Sequence, residues 1–205
     1  MKVTFDNVGK RFIKEWIIKD LSYTFESKKA IAVTGANGSG KSTLLKLISG
    51  IVPITRGNII YENADKAAIP VESVFRNISF CAPYQELIEE FTLSEIIRFH
   101  QAFRPLEGGH NVEELADLWQ LSHALNKRIH FYSSGMKQRV RLGLAIYSKS
   151  ELTLLDEPTS NLDEKGVEWY LDLIGKVINQ RTLVVASNIT REYTFCTERV
   201  ELNIN

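Results

Sequence analysis

The feature that most constrains this chain is a glycine-rich loop set between a strand-like run and a helical pattern. The compact apolar run Ile31–Thr34 leads into the loop, which reads Gly-Ala-Asn-Gly-Ser-Gly-Lys-Ser over Gly35–Ser42. Leucine and isoleucine then recur with helical spacing over Ser42–Ser49, and Gly50 follows where a helix commonly ends. A strand, a tight loop and a helix in this order predict an α/β fold in which the loop leads into a helix N-terminus.

The loop fits the pattern G-x-x-x-x-G-K-S, which predicts binding of nucleotide phosphates. Its glycines allow backbone N–H groups to converge on phosphate oxygens, where a side chain would obstruct or strain the loop. The N-terminal end of the following helix is partially positive and is directed at the same anion. We expect Lys41 to reach the β- and γ-phosphates and the Ser42 hydroxyl to coordinate Mg²⁺. The predicted nucleotide-binding residues of this segment are Gly35, Asn37, Gly38, Ser39, Gly40, Lys41, Ser42 and Thr43.

A second apolar run, Leu152–Leu155, ends in the two acidic residues Asp156 and Glu157. In a parallel sheet, a buried strand places such carboxylates at its carboxyl edge, where open α/β sheets bind their ligands. We expect Asp156 to hold the magnesium shell and Glu157 to orient or deprotonate the attacking water. Taken alone, this pattern is more typical of a strand that enters a solvated turn. Combined with the phosphate loop, it favours a hydrolytic site.

The rest of the chain alternates between strand-like and helix-like segments. Helical periodicity dominates between about Gln85 and Ser148, and apolar runs of strand length return beyond Ser150. Continuously apolar strands that alternate with helices predict a mainly parallel sheet. The helical block between the two groups of strands therefore reads as an inserted subdomain.

Composition narrows the classes of protein that the chain can belong to. The 25 basic and 25 acidic residues cancel, which argues against broad electrostatic binding to nucleic acid or to an acidic membrane surface. No stretch approaches the roughly 20 apolar residues needed to cross a bilayer, so we expect other chains to supply any membrane spans. Cys81 and Cys196 are too few and too far apart to predict a disulfide framework or a metal site.

Further motifs give the chain a resemblance to the ABC ATPases. The segment Tyr132–Arg139 reads Tyr-Ser-Ser-Gly-Met-Lys-Gln-Arg and is similar to the signature of that family, usually Leu-Ser-Gly-Gly-Gln. Pro158–Asp163 resembles the family's D-loop. Gln85, after the strand-like run Ile78–Cys81, falls where the family has its Q-loop glutamine, and Phe12 falls where it has an aromatic residue that stacks on adenine. These motifs cover nearly the whole chain and follow the family's order.

The resemblance implies a P-loop NTPase fold in one ABC ATPase domain spanning residues 1–205. Residues 1–85 and 149–205 would form a RecA-like core with an N-terminal antiparallel β part, and residues 86–148 an inserted α-helical subdomain. The resemblance implies ATP and Mg²⁺ as ligands, with Ser42, Gln85 and Asp156 as the metal-binding residues. It also implies a head-to-tail pair of chains, in which the signature of one chain closes over the nucleotide of the other. The residues expected to act there are Ser133, Ser134, Gly135 and Asp163.

Two positions depart from the family's motifs. Ser134 replaces the first glycine of the signature pair, and we expect a modest effect because its hydroxyl is small and can donate to phosphate. After the apolar run Leu183–Ala186 the family has a histidine that touches the γ-phosphate, whereas this chain has Asn188. An amide donates a hydrogen bond but cannot carry charge or shuttle a proton, so we expect slow but real hydrolysis. The expected catalytic residues are Glu157, Gln85, Lys41 and Asn188.

The resemblance favours an ATP-hydrolysing subunit that powers a transporter by ATP-driven dimerisation. Its expected partners, on the cytoplasmic face of the membrane, are a separately encoded transmembrane permease and a second ABC ATPase chain. A homodimer is favoured, a heterodimer stays open, and no nucleic acid is expected. A non-transport ABC ATPase and a nucleotide-gated regulatory protein with very slow hydrolysis stay open as alternatives. In its small size the chain resembles the haem exporter ATPase of cytochrome c maturation. Trp16 is a second candidate for the adenine platform beside Phe12, and the cargo and the direction of transport are not encoded.

Overall fold

The computed structural model describes residues 1–203. The chain forms two compact units, which we call the first unit (Met1–Phe80, Ser150–Glu157 and the chain from Lys176 onward) and the second unit (Cys81–Lys149 and Pro158–Gly175). Across the described part of the chain, no helix combines the length and the apolar character needed to cross a lipid bilayer.

The regular elements are numbered in chain order. The strands are β1 (Lys2–Phe12), β2 (Glu15–Phe25), β3 (Ala30–Thr34), β4 (Arg56–Glu62), β5 (Ile78–Cys81), β6 (Leu152–Asp156), β7 (Thr182–Ala186) and β8 (Glu198–Glu201). The α-helices are α1 (Lys41–Ile48), α2 (Leu93–Phe103), α3 (Val112–Leu118), α4 (Ser134–Tyr147) and α5 (Glu164–Val177). The strands form a three-stranded sheet in the order β2-β1-β4 and a five-stranded sheet in the order β5-β6-β7-β3-β8.

The three-stranded sheet is antiparallel and contains the N-terminal strands. Val3 lies opposite Phe25 of β2 and opposite Tyr61 of β4. Apolar alternation predicts a strand over residues 2–5 only, whereas β1 is 11 residues long. The pairing shifts register between residues 5 and 8, where Asn7 has a φ of 47°. This irregularity ends the simple alternation in the sequence without ending the strand, because the partners on both sides continue the hydrogen-bonded ladder.

The five-stranded sheet is the parallel core that the apolar runs predict. Every residue of β3, β6 and β7 is buried, and β7 lies between β3 and β6 and is parallel to both. Strands covered on both faces are apolar throughout, which explains why these segments show runs rather than alternation. The predicted fold class, α/β with a mainly parallel sheet and an N-terminal antiparallel part, is confirmed. The carboxyl ends of β3 and β6 lead directly into Gly35 and Glu157.

Helix α1 fixes the phosphate loop to the core of the first unit. It buries Leu44, Leu45, Leu47 and Ile48 in a cluster shared with residues of β3, β6 and β7. At roughly 25 cal/mol per Å² of apolar surface removed from water, each of these side chains contributes about 1.5–3 kcal/mol. The helix ends at Ser49, and Gly50 follows with a φ of 73°. The predicted left-handed glycine terminus is therefore confirmed.

The second unit is helical, and its first two α-helices begin at capping boxes. Thr92 and Glu95 bond reciprocally at the start of α2, and Asn111 and Glu114 do so at the start of α3. Such caps satisfy N–H groups that lack partners within the helix, each contributing about 1 kcal/mol. Between the helices the pair at 108–109 has φ values of 91° and 65°, which only glycine adopts without strain.

Two tryptophans organise the second unit. Trp119 is fully buried, and a Cβ built on Gly143 of α4 would lie 2.3 Å from its ring. The ring therefore rests directly on the backbone of α4, and glycine at 143 is required by this contact. Trp169 of α5 is also buried, and its Nε1 donates to the carbonyl of Leu118 at 2.8 Å. Both tryptophans are therefore packing residues.

Candidate functional site

The phosphate loop occupies the turn between β3 and α1, and its glycines serve different purposes. Gly35 has a φ of 143°, and a Cβ there would lie 2.2 Å from the carbonyl oxygen of Leu202. Gly40 has a φ of 97°, and a Cβ there would lie 2.8 Å from Cγ2 of Ile17. Gly38 has a φ of 84°, and a Cβ there would meet no atom of the described residues within 4 Å. Each of the three positions has a positive φ that would strain any other residue, and at Gly35 and Gly40 an added side chain would also clash with other parts of the protein.

The N-terminal end of α1 has the properties of an anion site. Gly40 supplies no side chain to cap the helix, and the first turn contains no acidic residue. The first backbone N–H groups of any helix have no intrahelical partner, and here no side chain of the cap residue replaces one. The hydroxyl of Ser39 is buried and, among the residues that the structure describes, finds no hydrogen-bond partner. A negatively charged group at this end would satisfy the N–H groups and the helix dipole together.

Lys41 folds back over the loop that precedes it. Its side chain is nearly buried, at 6% exposure, and Nζ donates to the carbonyl oxygens of Gly35 at 2.8 Å and Ala36 at 3.1 Å. An ammonium group has three hydrogens to donate, so one is left for a further acceptor. These two bonds hold the positive charge of Lys41 at the loop, where it complements the end of α1.

Asp156 ends β6 and connects that strand to the phosphate loop. Burial raises the pKa of Asp156, and the neighbouring Ser42 hydroxyl acts in the opposite direction. The side chain is 3% exposed, yet its Oδ1 has no hydrogen-bond partner within residues 1–203. A buried carboxylate oxygen without a partner is costly, and a hard cation such as Mg²⁺ would satisfy it. The donors at this point, a carboxylate and a hydroxyl, therefore fit magnesium.

Protein ligands alone do not complete a metal shell here. No group of three or more His, Cys, Asp or Glu side chains that could hold a metal occurs among the described residues. Magnesium commonly binds through one or two carboxylates, with phosphates and waters completing six positions. The sparse donor set around Asp156 matches an ion that arrives together with a phosphate-bearing ligand.

Glu157 follows Asp156 but lies in the opposite environment. Its side chain is exposed, whereas that of Asp156 is buried. Its backbone has a φ of 42°, in the left-handed region that side chains disfavour, and its N–H donates to the carbonyl of Ala186 at 2.9 Å. Such strain costs about 1–3 kcal/mol and is concentrated at functional sites. The end of β6 therefore carries one buried carboxylate, Asp156, and one exposed carboxylate, Glu157, which suits them to different roles.

Asn188 is brought to the phosphate loop by β7. The N–H of Ser187 donates to the carbonyl of Val33 at 3.1 Å, which holds the end of β7 beside β3. The Nδ2 group of Asn188 then donates to Oδ1 of Asn37 at 2.7 Å. The first unit therefore brings together the loop residues, Asp156, Glu157 and Asn188, all at the carboxyl edge of the parallel sheet, as the sequence predicts.

The aromatic candidates lie on the hairpin between β1 and β2. Phe12 is 46% exposed, and Nζ of Lys10 lies 4.6 Å from its ring centroid. The Trp16 ring is engaged by two guanidinium groups, those of Arg56 at 4.6 Å and Arg11 at 5.4 Å. Trp16 is only partly exposed and has two guanidinium groups over its ring, whereas Phe12 is exposed and has one cation beside it, so Phe12 is the better placed of the two to stack on a base. The sequence does not predict the contacts of Trp16 with Arg11 and Arg56, because they join residues of different strands.

The signature residues lie in the second unit, at the start of α4. Ser133 and Ser134 are exposed, and the hydroxyl of Ser133 accepts a bond from the N–H of Met136 at 3.2 Å. Ser133 is therefore the N-cap of α4, and its hydroxyl hydrogen can still donate to another group. A Cβ on Gly135 would lie 2.8 Å from the carbonyl of Asn161, so this glycine is required by the adjoining loop.

The two other candidates of the second unit are both held by local bonds. Oε1 of Gln85 accepts from the N–H of Ala82 at 3.1 Å, and its carbonyl accepts from Nε of Arg141 at 2.7 Å. Asp163 precedes α5, and its Oδ1 accepts from the N–H of Gly166 at 2.8 Å. Asp163 thus caps α5, which begins at the next residue, Glu164.

Gln138 has a structural role that the motif reading missed. It is fully buried in α4, and its Nε2 donates to the carbonyl of Pro158 at 2.8 Å. This bond joins the signature helix to the segment that contains Asn161. A signal was present in the sequence, because Gln138 precedes the buried Leu142 by one helical repeat of four and so shares its face.

Comparisons with known proteins agree with this arrangement. A family model described as ABC transporter matches residues 18–160. An uncharacterized ABC transporter ATP-binding protein of Bacillus subtilis is 27% identical over 96% of this chain and 90% of its own length. A sulfate/thiosulfate import ATP-binding protein of Synechocystis is 34% identical over 80% of this chain, which spans 47% of that longer protein. A solved dimeric ATP-binding cassette with bound ADP and phosphate has the same fold, with a TM-score of 0.84, 22% identity and coverage of 99% of this chain and 96% of its own.

Proposed function

The chain belongs to the ABC transporter family, and from this premise we propose that it is the ATP-binding and ATP-hydrolysing subunit that powers a transporter by ATP-driven dimerisation. Members of this family bind and hydrolyse ATP. The observation that carries the proposal is the buried carboxylate of Asp156, which lies beside Ser42 of the phosphate loop and whose Oδ1 has no hydrogen-bond partner among the described residues.

Binding of Mg·ATP follows from the charges around the loop. The uncapped start of α1, the Ser39 hydroxyl and the remaining hydrogen of Lys41 would bind the β- and γ-phosphates, and Phe12 would stack on the adenine. Ser42 and Asp156 would hold magnesium, with Gln85 as a further ligand. Magnesium, when bound, supplies neutralisation of the phosphate charge.

Hydrolysis is assigned to Glu157, with Asn188 as the contact to the terminal phosphate. The exposed carboxylate of Glu157 is free to orient or deprotonate a water, while the burial of Asp156 suits it to a metal. We propose that turnover is slow because Asn188 offers one neutral donor where a histidine could carry charge. Losing one well-placed transition-state contact costs about 2.7–4 kcal/mol, or roughly 10²–10³ in rate.

A second copy of the chain would complete the site. Ser133, Ser134, Gly135 and Asp163 would face the partner's γ-phosphate, and the exposed Ser133 with its free hydroxyl hydrogen supports this role. We further propose that residues 86–148, which belong to the second unit, form the inserted helical subdomain, and that a separately encoded permease holds the pair at the cytoplasmic face of a membrane. The neutral net charge supports a protein partner rather than nucleic acid.

The proposal is tested by Mg·ATP affinity, phosphate release and oligomeric state. Lys41→Ala should abolish binding, whereas Lys19→Ala, which removes an exposed lysine of β2, should leave it unchanged. Glu157→Gln should retain binding, lose phosphate release and accumulate dimers on gel filtration with ATP. A wild type without affinity for Mg·ATP, or binding that survives Lys41→Ala, would refute the proposal. Recovery of an integral membrane protein with the tagged chain distinguishes transport from the non-transport alternative.

The slow turnover has its own test. Asn188→His should raise kcat, because an imidazole restores a donor that can also carry charge. Glu157→Gln provides the baseline without hydrolysis. A slower Asn188→His enzyme would show that Asn188 is not the limiting feature.

A further inference from the structure

The bond between Asn37 and Asn188, which we call the amide pair, links the phosphate loop to the segment after β7. Nδ2 of Asn188 lies 2.7 Å from Oδ1 of Asn37, and both residues are exposed. The backbone around Asn188 is fixed independently, since Ser187 donates to Val33 and the N–H of Ile189 donates to the Ser187 hydroxyl at 2.8 Å. The amide pair therefore does not set the path of the chain. What it sets is the orientation of the Asn188 side chain.

Orientation matters for an amide in a way that it does not for the imidazole usual in this family. One end of a carboxamide donates hydrogen bonds and the other accepts them. Turned by 180°, Asn188 would present its carbonyl oxygen to a phosphate anion, which is repulsive. Because Oδ1 of Asn37 accepts one hydrogen of Nδ2, the donating end faces the loop and its second hydrogen is left for another acceptor.

We propose that Asn37 is a positioning residue for ATP hydrolysis, which fixes the Asn188 amide with its donating end toward the terminal phosphate. This inference rests on the proposed function and adds a requirement specific to this chain: Asn37 is needed because position 188 carries an amide. Asn37 belongs to the same loop that would hold the phosphates, so this loop would align both the nucleotide and the Asn188 donor.

The decisive experiment compares Asn37→Ala in two backgrounds of the full chain, with kcat and the dissociation constant for Mg·ATP measured separately. In the wild type, Asn37→Ala should lower kcat about 10- to 100-fold, the effect expected of a misaligned reacting group, with affinity nearly unchanged. In the Asn188→His background the same change should alter kcat less than about threefold, because an imidazole can carry its proton on either ring nitrogen and so does not depend on one orientation. Equal losses in both backgrounds would overturn the inference, since they would show that Asn37 acts on the loop itself.

Two further variants test the positioning role of Asn37 without relying on Asn37→Ala alone. Asn188→Asp preserves shape but faces Asn37 and the phosphate with acceptors only, and should lose at least as much activity as Asn188→Ala. The double change of Asn37 and Asn188 to alanine should be no slower than Asn188→Ala alone. Asn58→Ala, in exposed β4, is the control and should match the wild type. Unchanged turnover of Asn37→Ala would refute the positioning role of Asn37 but not the proposed function. A wild type that does not bind Mg·ATP would refute both.

Discussion

Replacing Asp156 with asparagine should make the ligand-free protein more stable while removing its response to magnesium. Asp156 is 3% exposed, and its Oδ1 has no hydrogen-bond partner among the described residues. The Ser42 hydroxyl and the charges of Lys46 and Lys41 offset only part of the effect of its burial. An unsatisfied buried acceptor costs about 1–3 kcal/mol, and more when it is charged. Asparagine keeps the volume and an acceptor for Ser42 but removes the charge. We therefore expect a gain of about 1 kcal/mol in the free energy of unfolding at pH 7.

The sign of the pH dependence follows from the direction of the pKa shift. Burial raises the folded-state pKa of Asp156 above its unfolded value. A raised pKa favours the protonated form in the folded state, so this contribution to stability is complete below the unfolded pKa. It is lost as pH rises through the folded pKa. The advantage of Asp156→Asn over the wild type should therefore be present at pH 7 and disappear in acid.

The assay is urea unfolding followed by tryptophan fluorescence, with and without saturating Mg·ATP. At a ligand concentration 100 times its dissociation constant, the wild type should gain about 2.7 kcal/mol, and the variant should lose most of the part that depends on magnesium. Asp172→Asn, at an exposed position of α5, is the matched control and should change neither quantity by more than about 0.5 kcal/mol. A destabilised ligand-free Asp156→Asn protein, or one that keeps the full magnesium effect, would refute the reasoning.

Two further predictions follow from the loop and the signature helix. Gly35→Ala should lower the free energy of unfolding by about 2–5 kcal/mol, because it adds both backbone strain and a clash with Leu202. Gly38→Ala should cost only the strain, about 1 kcal/mol. Similar urea midpoints for the two variants would contradict the packing argument. Ser133→Ala should destabilise by about 1 kcal/mol through loss of the N-cap. Ser133→Asp should preserve the cap and its stability yet lower ATPase activity, since its charge would repel the partner's phosphate, and unchanged phosphate release would exclude that role.

Much of the candidate site can be read from the sequence because its chemistry is local. The run Ile31–Thr34, the loop after it and the leucines of α1 determine one another within a short stretch, so strand, loop and helix appear where they are predicted. Asp156 and Glu157 follow from the same logic, since polar residues at the end of a continuously apolar parallel strand lie at the carboxyl edge of the sheet. The extent of β1 was underestimated because a strand continues as long as its partners do, and the partners are not encoded within the strand itself.

The sequence by itself determined the phosphate loop, the strand-borne carboxylates, the helical signature and the α/β class, because each is set by spacing between neighbours in the chain. Only the tertiary structure decided what those residues touch. Asn37 and Asn188 are separated by 151 positions and meet through the pairing of β3 with β7. Leu202 closes on Gly35 in the same way, through β8 beside β3. Burial of Asp156 with one oxygen unsatisfied also depends on how distant segments pack, and no local pattern records it.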